Sequence, residues 1–232
     1  MKRLLLLSNS TNFRGGYLDH AIGEIRDFFG PVKRLVFVPF ALFDHDGYLT
    51  KARERFAAEG IEVAGLTPDA AGRRFLESAE AVFVGGGNTF RLLLKLQSSG
   101  LLPVLRDRAR GGMPYLGASA GTNIASRSIK TTNDMPIVQP ESFEALGLVP
   151  FQINPHYLDP DASSAHMGET RETRLREYLQ ENQAPVVGLR EGAWIRVESE
   201  ALTLGGSHGA RIFRRDGEPE ERRPGDSLAD IR

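Results

Sequence analysis

Ser119 stands at the centre of Gly117-Ala-Ser-Ala-Gly121, between a short apolar run (113–116) and a stretch able to form a helix. Gly-x-Ser-x-Gly in that setting has the spacing of a nucleophile elbow, a sharp strand-to-helix turn that lifts the hydroxyl out of the sheet. The chemistry dictates the composition. A turn that tight leaves no room for β-carbons two positions to either side, and Ala118 and Ala120 keep the nearer flanks small. A following helix would aim backbone N–H groups and its positive dipole end at the negative charge that acyl transfer develops. The same residues also suit a plain glycine-rich turn whose serine caps a helix. The two readings part on whether the chain supplies a base, an orienting acid and an oxyanion site.

Five histidines could serve as base. His20 falls within a helical stretch, His45 in an acidic loop, and His166 and His208 in polar loops, all settings that suit solvated rings. His156 directly follows a short strand and Pro155, and strand ends are where α/β proteins collect their catalytic groups. Two carboxylates could orient it: Asp134, in the polar loop 131–134, and Glu191, just past the apolar run 186–189. Either could hold the imidazole tautomer and stabilise the imidazolium, and the residues alone leave both open. Gly85-Gly-Gly-Asn88 also ends an apolar run, and a glycine triplet lets N–H groups converge as an oxyanion hole requires. Its competing reading, a dinucleotide phosphate loop, fails where Phe90 occupies the place of the third glycine.

The elements that must carry these groups alternate. Apolar runs at 4–7, 34–40, 61–66, 81–84 and 113–116 read as strands, and 17–29, 48–59, 70–78, 89–97 and 101–110 as helices between them. That rhythm predicts an α/β fold with a mostly parallel sheet covered by helices on both faces. Strand 151–154, helix 168–182 and strand 186–189 follow. From 193 the pattern is β-only (193–198, 201–204, 211–215), which predicts antiparallel strands near the C-terminus. One domain over 1–232 is expected, with 218–232, charged and Pro/Gly-bearing, as a weakly ordered tail.

Composition excludes several classes. The net charge of −1 gives no general attraction to nucleic acid or anionic membrane. No apolar run is long enough to span a bilayer, and the four leucines after Met1-Lys-Arg are too few for a signal-peptide core. The absence of cysteine removes thiol nucleophiles, thiolate metal sites and disulfides, and fits a cytoplasmic protein. The histidines lack metal-binding spacing.

LLLLSNST (4–11), GGGNTF (85–90), GASAGTN (117–123), TTNDMPIV (131–138), INPH (153–156), GETR (168–171) and GLREGAW (188–194) together resemble the peptidase E, or α-aspartyl dipeptidase, family. The resemblance keeps its order from residue 4 to about 206. It implies a class I glutamine-amidotransferase-like (flavodoxin-like) fold in which serine replaces the cysteine nucleophile. It also implies a cytoplasmic serine exopeptidase that needs no cofactor or metal and takes small peptides with N-terminal aspartate. By matching motif, Ser119 is the nucleophile, His156 the base, and Gly87 and Ala120 the oxyanion-hole donors. For the acid the family has been described with both the TTND aspartate, here Asp134, and the GLxEG glutamate, here Glu191; Glu191 is favoured. Arg171, Asn88 and Thr131 are the expected substrate-binding residues. Arg171 opens the stripe Arg171, Leu175, Tyr178, Leu179 that a helix turns inward. An arginine there needs a partner, either a substrate carboxylate or a nearby acid such as Glu169 or Glu172. An esterase using the same elbow, a cyanophycinase-like peptidase and a non-catalytic binding protein are the alternatives. A homodimer is allowed, but nothing in the sequence fixes the oligomeric state.

Overall fold

The computed structural model describes residues 1–161, 163 and 168–231; His166 lies outside them. In β1 (Arg3–Leu7) successive side chains face opposite sides, and both sides are buried: Leu4 and Leu6 join one apolar cluster, Leu5 and Leu7 another. A strand covered twice has to be continuously apolar, which is why Leu4-Leu-Leu-Leu7 is legible as a central strand. On one side lie α1 (Ile22–Phe29) and α2 (His45–Ala57), contributing Phe28, Phe29 and Phe56. On the other lie α3 (Ala70–Glu77), α4 (Thr89–Ser98) and α5 (Leu101–Arg110), contributing Leu76, Leu92, Leu96 and Leu105.

Around β1 the strands β2 (Arg34–Val38), β3 (Glu62–Gly65), β4 (Ala81–Val84) and β5 (Tyr115–Ala118) pair in parallel. Antiparallel β8 (Ala193–Glu198) and β9 (Ala201–Gly206) extend the sheet to the order β3-β2-β4-β5-β1-β8-β9. After the single turn α6 (Ala120–Asn123) the chain builds a second sheet. There β6 (Gln152–Tyr157) pairs in parallel with β7 (Val186–Arg190), and antiparallel β10 (Ala210–Phe213) and β11 (Glu220–Arg222) follow. Between β6 and β7 runs α7 (Arg171–Glu181). The expected α/β architecture, mostly parallel with antiparallel strands near the C-terminus, is the one found.

Two local differences have physical causes. The helix expected over 17–29 is broken: Leu18 takes a left-handed conformation (φ 63°), a 3₁₀ turn covers Asp19–Ala21, and only then does α1 begin. Residues 218–231 are not a loose tail. Besides β11, Leu228 and Ile231 are buried in the main cluster, and Leu228 N–H donates to Leu202 O at 2.9 Å. Two apolar anchors outweigh a composition that otherwise reads as solvated. Among the described residues no helix is long and apolar enough to cross a membrane.

Candidate active site

Ser119 begins where β5 ends, with φ 52° and ψ −106°, a conformation that costs an L-residue of order 1–3 kcal/mol. The glycines around it are obligatory. A β-carbon on Gly121 would stand 2.1 Å from Val84 O, and one on Gly117 2.7 Å from Gly121 O. Thr122 braces the turn, its hydroxyl reaching Leu7 O at 2.6 Å and Gly117 O at 2.9 Å. Because α6 is one turn long, it offers N–H groups at the serine but little of the dipole that a longer helix would carry.

His156 lies within β6 rather than after it, where the register against β7 shifts between Pro155 and Tyr157. The irregularity gives His156 a φ of 54° and swings its ring towards Ser119. A buried hydroxyl holds that backbone: Ser8 Oγ accepts from His156 N–H at 2.9 Å and donates to Leu189 O at 2.8 Å. Next to it, Asn9 Oδ1 accepts from Gly192 N–H at 2.8 Å and fixes the turn carrying Glu191. His156 Nε2 is 2.9 Å from Ser119 Oγ, and Nδ1 is 2.6 Å from Glu191 Oε1. A carboxylate can only accept, so the proton sits on Nδ1 and leaves Nε2 free to take one from the serine. The His156 and Glu191 side chains are 39% and 49% exposed, so the pair is open to water.

Past β4, two of the four N–H groups in the glycine turn are occupied. Gly85 donates to Val38 O at 3.2 Å and Asn88 to Ala41 O at 2.9 Å. Gly87, at φ 132°, donates to nothing among the described residues, and neither does Ala120 N–H across the turn. The Tyr48 hydroxyl is 3.4 Å from that of Tyr17, and burial pushes both phenols up, so both stay neutral.

The remaining expected site residues fall elsewhere. Asp134 Oδ2 accepts from Thr89 N–H (2.7 Å) and the Thr89 hydroxyl (2.6 Å), not from a histidine. Asn88 caps α4, accepting from Arg91 N–H at 3.1 Å and donating to Met135 O at 2.9 Å. Thr131 is buried, its hydroxyl donating to Ile153 O at 2.8 Å. Neither Asn88 nor Thr131 lines a cavity at Ser119; both hold loops in place. Arg171 also lies outside those linings, in a separate open cavity with Leu158 and Thr170. Burial, then Arg174, disfavours its charge, while Asp134 acts the other way. Glu169 pairs with Arg174 at 3.4 Å, and Glu172 with Arg176 and Arg211. Among the described residues Arg171 has no ion-pair partner. His20, expected to be solvated, has both ring nitrogens buried and unpartnered. His45 is the first residue of α2.

Two cavities meet at Ser119, and Asp134 and His156 line both. One is an open cleft of about 410 Å³ reaching Tyr17, Tyr48, Lys51 and Gly87; the other is a recess of about 20 Å³ bounded by Thr89, Asn123, Thr132 and Asn133. Ser8, Asn9, Tyr17, Tyr48 and Lys51 were missed as site residues. Their signals were the polar break directly after the leucine run and a Tyr-x-x-Lys spacing on one face of a helix.

Residues 4–205 match the model of peptidase family S51. The chain is 56% identical over 228 residues to peptidase E of Streptomyces coelicolor, covering 98% of this chain and 94% of that one. It is 50% identical over 233 residues to a probable alpha-aspartyl dipeptidase of Drosophila melanogaster, covering 99% and 96%. Among solved structures, a putative peptidase E from Listeria monocytogenes superposes with a TM-score of 0.68 at 22% identity, covering 89% of this chain and 98% of that one. A peptidase from an acI-B1 actinobacterium gives 0.74 at 15% identity, covering 98% and 96%. At those identities the two structures establish likeness of fold alone.

Proposed function

The chain belongs to peptidase family S51 and is a peptidase, and from that premise we propose a serine dipeptidase that hydrolyses Asp-X through an acyl-enzyme on Ser119. The observation that carries the reading is the continuous contact from Ser119 Oγ to His156 Nε2 and from His156 Nδ1 to Glu191 Oε1. Ser119 Oγ attacks the aspartyl carbonyl carbon while His156 Nε2 takes its proton, and Glu191 holds the tautomer and offsets the imidazolium charge. The N–H groups of Gly87 and Ala120 receive the oxyanion. Collapse breaks the C–N bond, and the imidazolium proton passes to the amine of X, which leaves. Water then attacks the ester carbonyl, giving its proton to His156. The second collapse returns that proton to Ser119 Oγ and frees aspartate.

Substrate charge supports the choice of aspartate. The N-terminal residue of Asp-X presents an ammonium and a β-carboxylate. Asp134 borders both cavities at Ser119 and would take the ammonium; Arg171, on whose guanidinium the Asp134 charge acts, would take the β-carboxylate. The relatives named above as peptidase E and alpha-aspartyl dipeptidase carry the same implication. A panel of Asp-X, Asn-X, Glu-X, N-blocked Asp peptides, a simple ester and a cyanophycin fragment tests the reading. Turnover confined to free N-terminal Asp is expected, and preferred hydrolysis of the ester or the cyanophycin fragment would replace it. We further propose a cytoplasmic homodimer joined near the start of α4, where Phe43 and Met135 stand exposed; sedimentation of F43S/M135S against the parent chain tests it.

A further inference from the structure

The open cleft at Ser119 contains a cation that the reaction itself does not use. Lys51 lies one turn beyond Tyr48 on α2, and the two line the cleft together with Tyr17, Gly87 and His156. Its ammonium sits 4.5 Å from the centroid of the Tyr17 ring. Among the described residues no carboxylate lies within ion-pair distance of it, although α2 and its cap contain Asp44, Asp46 and Glu54. A cation over an aromatic face is held by the ring quadrupole without surrendering its N–H donors. Tyr17 stays a neutral phenol, since burial pushes its ionisation up. Lys51 is thus positioned over a cleft and still able to donate, as an anion-binding group needs to be.

We propose that Lys51 binds the free C-terminal carboxylate of the leaving residue and so favours dipeptides over C-terminally blocked substrates. The inference rests on the Asp-X reading above. An Asp-X dipeptide has three charges: the α-ammonium, the β-carboxylate and the terminal carboxylate. Asp134 and Arg171 match the first two on the acyl side of the scissile bond. The third charge lies one residue away on the leaving side, and Lys51 is the one Lys or Arg among the described residues lining the open cleft. Tyr48 fixes the distance: its ring packs on the glycine turn so closely that a β-carbon on Gly85 would stand 2.6 Å from the hydroxyl, so the helix face bearing Lys51 lies against the turn where the substrate carbonyl docks.

The experiment compares kcat/KM for Asp-Leu and Asp-Leu-amide with the full chain, Lys51→Met and Lys51→Arg. The parent enzyme is expected to favour the free acid by about fivefold, the upper scale for a solvent-accessible ion pair. Lys51→Met should bring the acid-to-amide ratio to about one, chiefly through KM for the acid, and Lys51→Arg should restore the preference. A parent ratio near one, or the same ratio in Lys51→Met as in the parent, would overturn the assignment. So would equal losses on both substrates, which would make Lys51 a brace for Tyr17. If the parent enzyme cleaves neither substrate while fully folded, the Asp-X reading falls first, an outcome distinct from all of these.

Discussion

The hydroxyl of Ser119 is separated from its base by 2.9 Å and its backbone sits at φ 52°, so one residue combines the reacting atom with local strain. Ser119→Ala should fold and lose almost all turnover, and His156→Ala should do the same. The double variant should be little worse than either, because groups acting as a unit lose their effect together. Clear additivity in kcat would contradict the shared mechanism. The two carboxylates can be told apart by what each touches. Glu191→Gln is expected to lower kcat by up to about 10⁴-fold. Asp134→Asn, which leaves the His156 contact intact, should raise KM more than it lowers kcat. Reversal of those two phenotypes would exchange their roles. Arg171→Met should remove about 2–4 kcal/mol of transition-state binding and narrow the preference for Asp-X over Asn-X, since a neutral amide makes no use of the guanidinium. A variant that discriminates as the parent does would take Arg171 out of recognition.

At the scale of elements, the turn before α1 sets a pH limit. Burial of the His20 ring lowers its pKa from the ordinary 6.5, with Asp19 and Glu191 pulling the other way. A depressed histidine pKa means that the unfolded chain takes up the proton first. Its contribution to stability is therefore intact above about pH 6.5 and is lost as the pH falls from there towards the folded value. Denaturation of the parent and of His20→Gln between pH 7 and 5 should give curves that converge on acidification; parallel curves would show that His20 does not titrate in this window. Elements also decided what could be read in advance. The leucine run of β1, the glycine turn after β4 and the elbow were legible because a backbone demand, burial on both faces or close approach, admits few residue types. The shifted register that aims His156 was not, because it is a relation between β6 and β7 rather than a property of either. Ser8 and Asn9 were hidden for the same reason: their partners lie 148 and 183 positions away. The sequence could not separate the structural bonds of Asn88 and Thr131 from a binding role, because a cap and a loop clamp use the same polar side chains that a substrate site does.

Taken as a whole, the molecule divides its reacting groups between two sheets. Ser119 follows a strand of the seven-stranded sheet, whereas His156 and Glu191 belong to the four-stranded one, and Ser8 bridges the two. Each sheet is largely laid down from its own stretch of chain, except that β8 and β9 return to the first after β6 and β7 are made. This geometry has a consequence in time. His156 follows Ser119 by 37 positions, so a chain emerging from the ribosome at about 5–20 residues per second exposes its serine seconds before its base is made. Until the sheets close on each other the hydroxyl is no more nucleophilic than any other, and neighbouring nascent chains are safe from it. Refolding from denaturant should reproduce the delay: helical and strand signals return first, and reaction of Ser119 with a fluorophosphonate probe returns last. Simultaneous recovery would mean that the two sheets form as one unit, and that this peptidase is armed as soon as it is folded at all.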